Sequence, residues 1–228
     1  IVQEMFSYAD GFTMSFKKDG MANIGGGLFF RDQGVFHRRF SVHEDIGARL
    51  KEKQILTFGN DSYGGLSGHD IMTIAGGLYE VVVESYLQSR IGQTHYFARR
   101  LAEHNIPVVL PAGGHAVYID MNHFFRATTN GMGDFRGLGL IIELIRRYGI
   151  RASEVGPYSF EWDQKSEDQR RGILNLVRFA IPRNLYGNEH IDYAVAALTE
   201  LYENEHVIPR MRITRGASLR LRHFQAGL

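Results

Sequence analysis

No cysteine occurs among the 228 residues. Its absence excludes disulfides, thiolate catalysis and any zinc site built on cysteine, and it is compatible with a reducing cytoplasm. Charge of one sign is also lacking: 26 Lys and Arg against 25 Asp and Glu leave a formal net charge of +1, with no dominant basic run. The pattern therefore gives little support to a nucleic acid or an anionic membrane surface as partner. No apolar run approaches the roughly 20 residues of a membrane-spanning helix, and no secretory signal pattern is present. The ten histidines include no H-x-x-x-H pair, and His37 and His43 are too far apart to share a helical face, which disfavours zinc. The glycines nowhere take the G-x-G-x-x-G spacing of a dinucleotide site. An initial methionine is missing too: the chain opens at Ile1, close to its best strand candidate, which points to a fragment lacking its N-terminal half.

What is there is ordinary for a soluble globular protein, 44% hydrophobic and 22% charged, with enough residues for one large domain or two modest ones. Residues 5–16 and 24–31 read as short apolar and aromatic strands. A mixed helix and loop region covers 34–58, and Asp61–Gly68 forms a glycine-rich loop. An apolar stripe (Ile71, Ile74, Ala75, Leu78, Val82, Leu87, Ile91) predicts one long helix from about His69 to His104, with Pro107 just beyond. Val108–Leu110, Ala116–Ile119 and Val177–Pro182 read as strands, Leu138–Tyr148 and His190–Asn204 as helices, Gln164–Arg171 as an exposed loop, and Leu219–Phe224 as a closing alternating strand. The alternation predicts an α/β or α+β fold.

Between the first two strands stands Ser15-Phe16-Lys17-Lys18-Asp19, followed by Asn23-Ile24-Gly25-Gly26-Gly27. Desolvation and a neighbouring positive charge both disfavour an ammonium, and these are the conditions a Schiff-base lysine needs. A serine hydroxyl can meet a phosphate, and glycines let backbone approach closely. These features suggest a pyridoxal phosphate (PLP) lysine. The alternative is a solvated basic turn, and composition taken alone favours it.

Several motifs in order resemble the β-eliminating lyases, PLP-dependent enzymes of aromatic amino acids. They are Tyr8-Ala9-Asp10 through Asp19, Asn23–Gly26, Ser62–Gly68, Gly113-Gly114-His115-Ala116-Val117, Gly149-Ile150-Arg151, Val177–Arg183 and Leu221-Arg222-His223-Phe224. No one of these decides; their order and spacing carry the resemblance. It implies the aspartate-aminotransferase type (fold type I) of PLP-dependent α/β fold. Residues 1–68 would form the C-terminal part of the large PLP-binding domain, 69–105 a long linking helix, and 106–228 a small α+β domain. It also implies a cytoplasmic homo-oligomer, tetrameric in the family, with active sites at subunit interfaces, and the Tyr63–Gly68 loop would either reach a neighbour's site or form a plain tight turn.

The same resemblance assigns roles. Lys18 matches the lysine that binds the cofactor covalently and later moves the Cα proton. Lys17 matches its neighbour near the phosphate, and Ser15 a phosphate-binding serine. Asn23 matches a position whose backbone carbonyl helps hold a monovalent cation, normally potassium. Arg178 matches the arginine for the substrate α-carboxylate, a role suited to its fork of donors. By its motif alone, Arg178 could equally be a structural ion pair. His115 matches a histidine close to the active site, or else stabilises a turn after two glycines. Val155 is aliphatic, as in the tryptophan-cleaving branch, where the tyrosine-cleaving branch has arginine. His223-Phe224 matches the tryptophan-cleaving pattern, where the other branch has two phenylalanines. Phe16 departs from the small residue usual at its position and crowds the phosphate side.

The implied reaction is α,β-elimination, most simply of L-tryptophan to indole, pyruvate and ammonia. The acidic partner of the pyridine nitrogen, the ring-stacking aromatic and the glycine-rich phosphate loop would lie upstream of Ile1, so that this chain alone turns over little. A tyrosine-cleaving lyase and a non-catalytic relic or assembly subunit of the fold are the alternatives. The joint presence of Ser15, Lys18, Asn23 and Arg178 argues against the relic.

Overall fold

The computed structural model describes residues 2–18, 20–40, 45–59, 64–125 and 132–228. It divides into two units, Ile1–Leu87 and Gln88–Leu228, and the chain passes from one to the other within a single helix. The architecture is α/β with two small antiparallel sheets.

In the first unit α1 (Val2–Ser7) precedes the hairpin of β1 (Gly11–Ser15) and β2 (Gly26–Phe30), with Gly11 opposite Phe30 and Ser15 opposite Gly26. The strand expected over 5–16 thus begins only at Gly11. The apolar and aromatic residues Met5, Phe6 and Tyr8 suit either period, and local bonds settle the matter for a helical turn: Tyr8 N–H to the Met5 carbonyl (3.2 Å) and Ser7 Oγ to the Glu4 carbonyl (2.6 Å). Two helices follow, α2 (Val35–Phe40) and α3 (Ile46–Phe58). Asp45 caps α3 by accepting from Gly47 N–H (2.8 Å), and Gly59 ends it in a left-handed conformation, φ 69°. Neither helix buries a side chain. With the hairpin they line an open apolar groove of about 770 Å³ that includes Phe12, Leu28, Phe29, Phe36, Phe40 and Leu50.

The expected long helix is two helices, α4 (Gly68–Glu80) and α5 (Glu84–Glu103). The break falls at Val81-Val82-Val83, three β-branched residues whose restricted rotamers weaken a helix. Ser67 starts α4, its hydroxyl oxygen accepting from Asp70 N–H (3.1 Å). Of the glycine-rich loop before it, Asp61, Ser62 and Tyr63 lie outside the described residues.

The second unit is built on β5 (Leu176–Ala180), which lies between β3 (Ala116–Asp120) and β4 (Ser153–Val155). Val177 and Phe179 on β5 and Val117 and Ile119 on β3 point to one face and are buried. Against that face pack α5 through Phe97 and Leu101, α7 (Arg136–Tyr148) through Leu140 and Leu144, and α9 (Asn188–Glu203) through Val195, Leu198 and Leu201. This is helical period laid on strand period, the arrangement that closes a two-layer core. On α7, a methyl at Gly139 would collide with the Pro209 carbonyl oxygen, so the glycine permits close approach of the chain from α9. The short α6 (Met121–Phe124) follows β3 directly, capped by Asp120.

Three further expectations change. Val108–Leu110 makes only an isolated bridge, Val108 to Ile119, because prolines on both sides limit a ladder. The 164–171 segment holds α8 (Glu167–Arg170), started by a Ser166–Gln169 capping box. The chain ends in α10 (Arg222–Gln225) in place of a strand, since Arg222 is fully buried in an ion pair that turns the backbone inward.

Candidate active site

The sequence-predicted residues fall into two constellations, one in each unit. In the first unit the β1–β2 connection folds back on itself. Phe16 N–H donates to the Gly25 carbonyl (3.1 Å), Lys18 N–H to Ser15 (3.0 Å), Met21 N–H to Lys18 (3.2 Å) and Ala22 N–H to Phe16 (2.9 Å). A side chain at Gly27 would meet the rings of Phe16 and Phe29, and one at Gly25 would lie 3.0 Å from Ile74 Cδ1. The glycines therefore make room for Phe16 and for α4. Gly20 is buried, and Gly77 of α4 lies so close that a methyl there would collide with the Gly20 carbonyl oxygen.

With Phe16 turned onto Gly25 and Gly27, the side chains of Ser15, Lys17, Lys18 and Asn23 are left exposed on one turn. The desolvated lysine expected from the sequence is thus not provided by the described residues; both amines face solvent. A hydroxyl and two amines within four residues nevertheless form a donor set suited to an anionic phosphate.

In the second unit the register sets Tyr118 and Ser153 opposite Arg178 on either side, and Val155 opposite Leu176. By alternation Arg178, Tyr118 and Val155 share the sheet face away from the core. Arg178 is half-buried, its Nε is buried with no hydrogen-bond partner, and among the described residues its guanidinium forms no ion pair. His115 stands at the start of β3 with its ring centroid 6.4 Å from that of Tyr118, while its carbonyl accepts from Ile181 N–H (3.0 Å).

His223 lies on α10, exposed, its ring 4.2 Å from that of the exposed Phe224. The residue before it, Arg222, takes the structural role that Arg178 does not. Its guanidinium donates to both oxygens of Asp163 (2.6 and 2.9 Å) and to the Tyr158 carbonyl (3.2 Å). Those bonds hold the Asp163 carboxyl below its usual range, against a smaller opposing effect of burial. In the sequence Arg222 stands out only as part of a motif, and Asp163 and Tyr158 do not stand out at all. The pairing spans 59 residues, and no local pattern reports it. A separate surface pocket of about 700 Å³ between α5 and the start of α9, lined by Gln93, Tyr96, Arg99 and Asn188 among others, contains none of the predicted site residues.

Known proteins give this geometry a context. The β-eliminating lyase family matches residues 1–197. A tryptophanase of Salinibacter ruber is 38% identical over 229 residues, which cover all of this chain and 45% of the relative. A probable tryptophanase of Aeropyrum pernix is 36% identical over 230 residues, all of this chain and 46% of the relative. A tyrosine phenol-lyase of Clostridium tetani is 36% identical over 214 residues, 94% of this chain and 44% of the relative. The chain spans somewhat under half the length of these curated relatives, along their C-terminal part. It belongs to the β-eliminating lyase family.

Proposed function

We propose that this chain carries the cofactor-lysine and substrate-carboxylate portions of a PLP-dependent lyase of fold type I. The reaction assigned is the cleavage of L-tryptophan, with water, to indole, pyruvate and ammonia. The observation that carries the substrate reading is the shared sheet face of Arg178 and Val155. A guanidinium with a buried, unpartnered Nε is suited to a carboxylate, and the aliphatic side chain on the same face suits a large apolar ring.

The residues present fit PLP: Ser15 and Lys17 would hold its phosphate, and Lys18 would bind its aldehyde carbon. When bound, PLP supplies an electron sink for the carbanion formed at Cα. The chain's own residues do the rest. Arg178 orients the substrate through two parallel hydrogen bonds, so that the Cα–H bond is presented for removal. The Lys18 amine takes that proton. His223 and Val155 border the ring, and the His115 ring stands 6.4 Å from that of Tyr118, which is paired with Arg178. The Asn23 carbonyl is offered to a monovalent cation such as K+. The acidic partner of the ring nitrogen is assigned to the part of the relatives' length that this chain does not cover, and the 228 residues alone would bind PLP weakly.

The second reading, cleavage of tyrosine to phenol, is kept alive by the 36% identity to the tyrosine phenol-lyase. Supplying tryptophan and tyrosine separately to the PLP-loaded lyase carrying this sequence distinguishes the two. Indole from tryptophan with little phenol from tyrosine is expected; phenol alone would reverse the assignment.

A further inference from the structure

Val155 and His223 are 68 positions apart, yet one loop ties down the neighbours of both. At its start, the Glu154 carboxylate accepts from Tyr158 N–H (3.0 Å) and Ser159 N–H (2.9 Å), and Ser159 Oγ donates back to the Glu154 carbonyl (2.9 Å). At its end, Asp163 receives the two bonds from Arg222. Tyr158 closes the middle: its hydroxyl donates to the Arg222 carbonyl (2.9 Å), while its own carbonyl accepts from the Arg222 guanidinium. Gln164 Nε2 adds a bond to the Ala217 carbonyl (2.6 Å). The tail itself is closed at its base by an antiparallel bridge between Arg215 and Gly227. Arg222 has no exposed surface and Tyr158 only 5%, whereas the adjacent His223 and Phe224 project outward.

We propose that Arg222 and Asp163, with Tyr158, are positioning residues for substrate specificity: they anchor the 215–227 tail to the loop that follows Val155, and so set His223 for the leaving aromatic ring. The inference rests on the reading of Val155 and His223 given above. A side chain as exposed as His223 cannot hold one position by its own packing; a buried, bidentate pair on the preceding residue can hold it. The consequence is selective. Loosening the pair withdraws a contact from an aromatic leaving group and leaves the grip on the substrate's α-carboxylate and the removal of its α-proton untouched. A β-substituted alanine with a small leaving group, such as an S-alkylcysteine, should not notice the loss.

The test uses Asp163→Asn, Arg222→Lys and Tyr158→Phe in the PLP-loaded lyase carrying this sequence. Two measurements are made: kcat/KM for L-tryptophan and for S-methylcysteine, and the imidazole resonances of His223. Asp163→Asn should lower the tryptophan-to-S-methylcysteine ratio about tenfold, the size of one lost specificity contact. Arg222→Lys, which keeps the charge but not the fork, should fall between it and the wild type. Tyr158→Phe removes only one bond and serves as the folded control if Asp163→Asn fails to fold. An unchanged ratio in folded variants, or equal losses on both substrates, would overturn the inference. A wild-type enzyme that releases no indole sinks the tryptophan reading instead. In that case the His223 resonances decide: unmoved in both Asp163→Asn and Tyr158→Phe, they refute the anchoring.

Discussion

Lys17 and Lys18 are adjacent and both exposed, but the turn holds them differently. The backbone of Lys18 is fixed on both sides, its N–H on the Ser15 carbonyl and its carbonyl on Met21 N–H. That restraint suits a residue whose amine must return to one carbon. Lys18→Ala is therefore expected to abolish covalent cofactor attachment and turnover, while Lys17→Ala weakens cofactor retention and leaves attachment intact. Borohydride reduction followed by peptide mapping checks this; cofactor found on Lys17 would reverse the assignment. Arg178 invites a similarly pointed substitution. Arg178→Lys keeps the charge and loses the fork. A charge-assisted hydrogen bond contributes about 1.5–3 kcal/mol, so KM for the amino acid should rise by more than tenfold with kcat less affected. Steady-state kinetics with tryptophan reads this directly, and an unaltered KM would remove Arg178 from the carboxylate site.

At the scale of elements, the lysine turn is held from behind by α4. Gly77 leaves no room for a methyl beside the Gly20 carbonyl oxygen, and Ala22 and Ile74 are the buried apolar pair of this contact region. Gly77→Ala is an improved helix former in isolation, yet here it must push the turn away. Overpacking of this kind costs about 1–3 kcal/mol, more than the propensity gain. The variant is expected to be less stable to urea and to lose cofactor, without any change at Ser15, Lys17 or Lys18; equal or greater urea resistance would show that the turn yields freely. This contact also shows what was legible in the sequence. The alternation of Val177 and Phe179 and the stripe of α9 are period signals, and both elements form where those signals put them. Lys18 lies in the turn after β1 and Arg178 within β5, the kinds of element in which their segments were read. The break at Val81–Val83 has a local signal, three β-branched residues in a row, masked by the apolar stripe that runs on through Val82. The helical turns at both ends of the chain and the Arg222–Asp163 pair were not legible: each is decided by contacts between residues distant in sequence, or by short segments in which the helical and strand periods coincide.

For the whole molecule, charge pairing in the second unit fixes how stability responds to pH. Three carboxyls on separate elements lie below their usual range: Asp163 through hydrogen bonds from Arg222, Glu143 through those from Arg146 and then Arg147, and Asp192 through the Tyr96 hydroxyl and then Arg100. A carboxyl depressed in the folded state contributes stability that is present above its unfolded value, about 4, and is lost as pH falls through the folded value. The unfolded chain binds more protons in that window, so stability must drop toward acid. On the alkaline side the sign reverses. Tyr158 and Tyr148 are raised mainly by burial, and Tyr96 mainly by its bond to Asp192. Each favours the neutral phenol in the fold, so stability is full below about 10 and falls as pH rises further. The urea midpoint of this chain should accordingly stay level from about pH 6 to 9 and decline on either side. Asp163→Asn gives the sharper check, because it removes one of the three titrations along with its ion pair. The variant should be weaker than the wild type at pH 7, and the gap should narrow as pH falls toward 3. A gap that is constant across that range would mean that the Asp163–Arg222 pair does not contribute to acid stability.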